Sequence, residues 1–402
     1  MAATVEIDLL SPAHFRAGQP HDQFRLLRET PGLYRHPHPD GAPFWVATRY
    51  DDVRAVGRDP ERFSSQPTIM LDDPPPGSRS AADGHVMMLM ADPPTHTKMR
   101  RLLSREFTPR AAAALRPRIT ELAGAIVDDV ADRGSCDLVA DIAGEMPSFV
   151  IAELLGIPLA DGRRLYHCTE ALHSVRSEES RAAQAAAYQE MFAYSQQVWE
   201  QKRATPGNDL SSLLIAGEID GVPQDAIDFF MWFLLLIDAG GDTTRNLVGG
   251  GALALFEHPE QLAWLVEDLD ARLPTAVEEL LRWVSPVIYM RRTVTRDTEL
   301  AGTALAAGDK VAVYYGAANR DPAVFADPEE LRLDRDPNPL VAFGGGGPHF
   351  CLGAHLARIE IECLLREVLG RLDRLRPTGE ATWPASNFIY GPKSLPVSFR
   401  AR

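Results

Sequence analysis

Cysteine is scarce in this chain. Four occur, at 136, 168, 351 and 363, and no two form a C-x-x-C pair. That argues against a disulfide framework and against a cysteine-caged zinc. Basic residues are in deficit: 41 Lys and Arg face 56 Asp and Glu, a formal charge of −15. A nucleic-acid binder that ignores sequence needs a basic face, so no nucleic-acid partner is expected, although a local basic patch stays open. Long apolar runs are missing too. The longest, FFMWFLLLI at 229–237, stops at Asp238. It is about half of the roughly 18 residues needed to cross a bilayer, so it reads as a core helix with no membrane role. The start, MAATVEIDLL, shows no basic stretch followed by an apolar one, so no signal peptide is expected. Repeats, low-complexity tracts and linker-like segments are absent. These absences lead to the expectation of a cytoplasmic protein with reduced thiols; a monomer is also expected.

What is present is ordinary globular material, 45% apolar and 24% charged. With 402 residues and no linker, a single large domain over 1–402 is expected. Its class reads as mainly α with a minor β part near 30–60, 285–320 and 385–402. Helical periodicity dominates 94–157, 180–203 and 224–272, while 299–316 reads as two short strands around a turn. Residues 64–95 are rich in Pro, Asp, Ser and Met and form a long irregular segment, a kind usually functional or mobile.

The most informative stretch is AFGGGGPHFCLGAHLARIE, residues 342–360. A dinucleotide loop would need a third glycine at 349, where His349 stands, and no βαβ unit follows. A buried structural cysteine and a catalytic nucleophile with a His base are two further readings. The context favours a fourth. Residues 352–372 are apolar nearly all round, as in a buried helix. Cys351 precedes its first turn, where unpaired N–H groups and the positive dipole end favour a thiolate. Gly353 has no side chain, so a wide flat group can approach the backbone. A thiolate with amide donors in an apolar site suits a haem iron.

The stretch FGGGGPHFCLG resembles the haem-binding loop of the cytochrome P450 family. Phe343, Gly347, His349, Cys351 and Gly353 match the family's Phe, Gly, basic residue, Cys and Gly. Phe343 lies eight residues before the cysteine, one more than the family spacing, because the glycine run is longer. AGGDTT, residues 239–244, resembles the oxygen-binding helix, expected to be locally opened there. Asp242 and Thr243 then match its proton-relaying acid and alcohol. EELLR, followed by WVSPV, resembles the family's buried Glu–Arg pair, here Glu279 and Arg282, with Arg335 nearest to complete it. HTKMR matches a His and an Arg that pair with haem propionates. The resemblance therefore implies His96, Arg100, Arg292 and His349 as propionate ligands, with Arg291 an alternative to Arg292.

The landmarks fall in family order along essentially the whole chain. The implied fold is the helix-rich P450 prism, with haem b held on a Cys351 thiolate between the oxygen helix and the Cys-loop helix. The implied activity is monooxygenation: one atom of dioxygen (O2) enters a hydrophobic small molecule and the other leaves as water. No flavin or nicotinamide motif is present, so a ferredoxin and its reductase are the implied electron donors. Lys98, Arg101, Arg105 and Arg358 are candidates for a basic docking face. The resemblance assigns substrate contact to Met88, Leu89, Ala239, Val287, Ile288, Phe388 and Ile389, and the expected substrate is a steroid, terpenoid, lipid or secondary-metabolite intermediate. A peroxide-driven peroxygenase and a silent haem-thiolate module that recruits a partner are the alternatives. Both are disfavoured by the retained Asp242–Thr243 pair.

Overall fold

The structure is a computed structural model, and it describes residues 6–16, 18–74, 85–172 and 178–402. The centre of the irregular 64–95 segment, residues 75–84, and the first five residues lie outside the described ones.

Helices come in chain order as α1 (His21–Glu29), α2 (Tyr50–Arg58), α3 (Thr95–Leu103), α4 (Pro109–Ala131), α5 (Glu145–Leu155), α6 (Leu159–Leu172) and α7 (Glu178–Ala204). They continue as α8 (Leu210–Ile215), α9 (Ala226–Glu257), α10 (Pro259–Glu267), α11 (Leu269–Val284), α12 (Tyr315–Ala318) and α13 (Ala354–Arg371). The principal sheet holds β1 (Tyr34–His36), β2 (Phe44–Ala47) and β3 (Phe63–Ser64). Two later strands join it, Tyr289–Val294 and Lys310–Tyr314, in the order β1, β2, Lys310–Tyr314, Tyr289–Val294, β3. The mainly helical reading holds.

Three differences from the sequence reading concern strands. Thr298–Leu300 and Thr303–Leu305 form a separate hairpin before Lys310–Tyr314, so 299–316 holds more than two strands. A second sheet pairs Leu372–Pro377 with Pro396–Ala401 and Ser135–Asp137, and another hairpin joins Glu218–Ile219 to Val222–Pro223. These pieces are too short for a periodic signal, and their pairing partners lie far off in sequence.

α9 is the central helix. Asp225 caps it, accepting from the Ile227 and Asp228 amides, while Asp228 returns a bond to the Asp225 amide. It is buried along almost its whole length by α5, α6, α11 and α13. Its hydrophobic residues belong to one large core cluster, which also takes the inward faces of α4 and α13. The sheet encloses two smaller clusters. The expected opening at 239–244 is not seen: α9 runs as an unbroken α-helix through it. Instead the Thr243 hydroxyl donates to the Ala239 carbonyl at 2.9 Å, one turn back. Such a bond competes locally for a backbone acceptor without ending the helix.

Candidate active site

Cys351 lies just before α13, whose N-cap is Gly353. Its amide donates to the Phe343 carbonyl at 2.9 Å, which closes the loop between them. The four glycines inside that loop have a visible reason. Gly344, Gly346 and Gly347 take φ of +104°, +96° and +77°, a region that side chains disfavour. A Cβ on Gly345 would stand 2.6 Å from the Val53 carbonyl oxygen. One on Gly347 would stand 2.1 Å from that of Gly57. The glycine run is therefore laid flat on α2. The longer spacing is absorbed there, and Phe343 still reaches the cavity, with the Arg358 guanidinium 4.4 Å from its ring centre.

A cavity of about 260 Å³ opens between this loop and α9. Cys351 is exposed only in the sense that it forms part of this wall; dense protein surrounds it otherwise. Burial pushes its thiol up, while the Gly353 N–H and the Arg100 and Arg358 guanidiniums pull it down. A cation bound at the sulfur, such as a haem iron, would add to the amide and the two guanidiniums in favouring the thiolate.

The other wall residues match a haem. His96, Arg100, Arg292 and His349 all line the cavity. The His96 and His349 rings stand 4.1 Å apart. Burial, helped by the nearby arginines, pushes them down to about 4 and about 3, so both are neutral donors at pH 7. His349 Nε2 bonds the Ser65 hydroxyl at 3.0 Å, whereas the buried His96 Nδ1 has no hydrogen-bond partner among the described residues. A Cβ on Gly353 would meet nothing within 4 Å, so that position faces open space. Two guanidiniums, two imidazoles, one of them with an orphan nitrogen, and a thiol around one apolar cleft fit an iron porphyrin with two carboxylates.

Strand alternation sends the two adjacent arginines to opposite faces. Arg292 lines the cavity, and its neighbour Arg291 turns to the other face. There it bonds Asp73 at 2.8 Å and the Met70 carbonyl at 3.3 Å.

On the opposite wall stand Ala239, Gly240, Thr243 and Thr244 of α9. Asp242 is buried beside them but does not line the cavity; its carboxylate lies 3.9 Å from Arg245. Of the expected substrate contacts, Met88, Leu89, Ala239 and Val287 line the cavity. Ile288, Phe388 and Ile389 do not. Ile288 follows Val287 in an extended stretch and so points to the opposite face. It packs with Phe388 and Ile389 in the core under the sheet, where the Phe388 ring meets Tyr289 at 5.3 Å. Their place is taken by Val150, Ile151 and Leu154 of α5, Trp232, Leu235 and Leu236 of α9, and Met290. The sequence signalled these only as apolar helix residues, which is equally the signature of core.

Sequence reasoning also missed Glu360. It is a buried acid of α13 on the cavity wall, bonded to Thr244 and pushed up to about 8 by burial. The available signal was one carboxylate inside an apolar helix.

Behind the loop, Glu279 and Arg282 are fully buried and pair through two bonds of 2.7 Å. Arg335 adds bonds of 3.0 and 3.2 Å to the same carboxylate, and Asn338 a further one. The remaining guanidinium N–H groups reach the carbonyls of Asn319, Pro328, Glu330, Ala326 and Asp327. Of the surface cations, Lys98 is paired with Asp220 and Arg358 with Glu278. Arg101 and Arg105 are exposed and make no ion pair among the described residues.

Fold and site together define a haem-thiolate oxygenase scaffold, and comparison with known proteins names the family. The profile of "Cytochrome P450" matches residues 272–394. The methyl-branched lipid omega-hydroxylase of Mycobacterium tuberculosis is 41% identical over 368 residues, covering 89% of this chain and 85% of the relative. The steroid C26-monooxygenase of Rhodococcus jostii is 33% identical, over 98% of this chain and 84% of its own. Mycobacterium marinum cytochrome P450 CYP268A2, solved with pseudoionone, superposes with a TM-score of 0.91 at 36% identity, covering 99% and 100% of the two chains. The chain belongs to the cytochrome P450 family. It is a monooxygenase whose cofactor is haem b on a cysteine thiolate. No helix among the described residues is long and apolar enough to cross a membrane.

Proposed function

We propose that residues 1–402 act as one P450 domain that hydroxylates an apolar lipid, of methyl-branched or steroid type, near a chain end. The observation that carries this is the cavity itself. Its lining is mostly aliphatic and aromatic, with Met88, Val150, Trp232, Leu235 and Val287 among the wall residues. Apolar burial is therefore the driving force for binding, at roughly 25 cal/mol per Å². A polar substrate would leave its own groups unpaired there. Two relatives act on lipids of these kinds by their names.

In this reading Cys351 is the iron ligand, and Arg292, Arg100, His96 and His349 hold the two propionates by charge-assisted hydrogen bonds. Bound haem supplies the dioxygen chemistry, favoured by the thiolate. Thr243, facing the cavity, gives up its bond to the Ala239 carbonyl to hold a water and donate a proton toward dioxygen. Asp242 behind it replaces that proton. Trp232 and Leu235 exclude bulk water and orient the chain. Phe343 and the Arg358 guanidinium shield the sulfur side. Electrons come from a ferredoxin and its reductase, docking on Arg101 and Arg105; Lys98 and Arg358 are already neutralised by Asp220 and Glu278. The protein acts in the cytoplasm.

The test combines a spectrum with turnover. The dithionite-reduced protein under carbon monoxide should show the thiolate-type Soret band, and Cys351→His should abolish it. A histidine-type band in the wild type would sink the ligand assignment. With a surrogate ferredoxin system, phytanic acid or cholestenone should give a hydroxylated product. Activity with peroxide alone would favour a peroxygenase, and no turnover with either donor a silent module.

A further inference from the structure

A second cavity borders the haem site along α5. It holds about 310 Å³, against about 260 Å³ for the first, and is walled by α4, α5 and α8. Small-molecule pockets begin near about 300 Å³, so it has room for one modest ligand. Its floor is buried and aliphatic: Ile119 and Leu122 of α4 and Val150 of α5 are at most 5% exposed. Its mouth reaches the surface at Leu213 of α8, which is 40% exposed.

The charged groups around it are of mostly one sign. Glu106, Glu153 and Asp209 line it against a single cation, Arg118. Arg118 is already committed, bonding Glu153 at 2.8 Å and Glu121 at 2.9 Å. Asp209 pairs with Lys202 at 2.6 Å. Glu106 is exposed and makes no ion pair among the described residues. An apolar floor under a net acidic rim suits a molecule with a hydrocarbon body and a positive head. An anionic amphiphile would meet like charge there.

The two cavities share a wall. Val150 and Leu154, one turn apart on α5, line both of them. A side chain with empty space behind it has no partner atoms on that side. These two can therefore yield when a wide molecule enters the haem cavity. A ligand in the outer cleft takes that room away. We propose that this cleft is a second binding site, for an apolar molecule bearing an ammonium group, and that filling it narrows what the haem cavity admits. By linkage, each occupant then weakens the other by the same factor.

The experiment uses the haem-loaded protein and octyltrimethylammonium, kept below its micelle concentration. Its quaternary nitrogen has no lone pair and cannot bind iron. Calorimetry reads its affinity, with octyl sulfate as the anionic control of equal chain length. Two iron-binding azoles report on the haem cavity through the Soret shift: imidazole, which is small, and clotrimazole, which carries three bulky rings. Neither depends on which substrate the protein oxidises. One ammonium should bind per chain, and octyl sulfate should not. Glu106→Gln and Leu213→Lys should each weaken binding several-fold without moving the thermal midpoint. Saturating ammonium should weaken clotrimazole at least about fivefold, the lower end of ordinary coupling between sites, and leave imidazole unchanged.

Equal ammonium binding by wild type and both variants overturns the site, and so does equal binding of octyl sulfate. If imidazole and clotrimazole weaken alike, the ammonium sits in the haem cavity itself, which also overturns it. Cleft binding that leaves clotrimazole unmoved overturns the shared wall. Should Leu213→Lys not accumulate as holoprotein, Glu106→Gln and octyl sulfate decide.

Discussion

Arg282 and Arg292 sit ten positions apart, both buried, and have opposite surroundings. Arg282 meets a wholly buried carboxylate and three backbone carbonyls. Arg292 meets one carbonyl, of Arg291, at 2.8 Å, and otherwise faces the cavity beside an unpartnered His96 nitrogen. The first cation is neutralised by the protein itself and fastens α11 to the segment that leads into the Cys loop. The second keeps donors for something the chain does not supply. Buried charge of the first kind is architecture; of the second kind, it is a binding site.

Removing one side of the closed network should have the largest effect. Arg282→Leu leaves Glu279 buried with Arg335, Asn338 and the Arg332 amide but without its main partner, a change of the class that costs about 3–5 kcal/mol. The expected outcome is a protein that accumulates poorly and melts early, measured by denaturant unfolding of the haem-free form. Arg292→Leu should act differently. It should leave the haem-free fold as stable as before or more so, because an under-paired buried cation is removed. Haem transfer to a scavenger should nevertheless quicken, since a hydrogen bond to a charged partner is worth about 1.5–3 kcal/mol. Equal damage to the haem-free fold by both substitutions would break the comparison.

Thr243→Ala tests the chemistry on the facing wall. Substrate affinity should hold while product per electron pair falls severalfold; unchanged coupling would argue against the relay. The smallest effect concerns Glu360, whose folded-state value of about 8 lies above its ordinary 4.5. The folded state therefore binds the extra proton, and stability drops as pH climbs through that interval. Glu360→Gln should flatten this slope between pH 5 and 8 in haem-free unfolding, and an unaltered slope would show that the acid is not held neutral.

Much of this was legible in the one-dimensional order of residues. The Cys loop, the Glu–Arg pair, the His–Arg turn of α3 and the acid–alcohol pair of α9 are local patterns; Cys351, His96, Arg100 and Thr243 line the cavity, while Asp242 is buried beside it. Strand alternation put Arg291 and Arg292 on opposite faces, and packing decided which of them meets the cavity. Ile288, Phe388 and Ile389 could not be placed, because an apolar side chain reads the same toward a cavity as toward a core. The opening expected over 239–244 likewise ignored what packs there. Tyr166 comes within 2.8 Å of the position a Gly241 side chain would occupy, so the glycine serves helix contact and not a helix break.

The order of residues by itself fixed which groups can do chemistry: one thiol before a helix, a few cations at helical or strand spacing, and an acid beside an alcohol. Those depend on bond geometry and periodicity within a few residues. Tertiary structure decided which of them meet. It closed Arg335 onto Glu279, aimed Arg292 at the cavity and laid the glycines on α2. It also brought Tyr166 to Arg245 from 79 positions away. Contacts at that separation arise from packing of the whole core, and no local period records them.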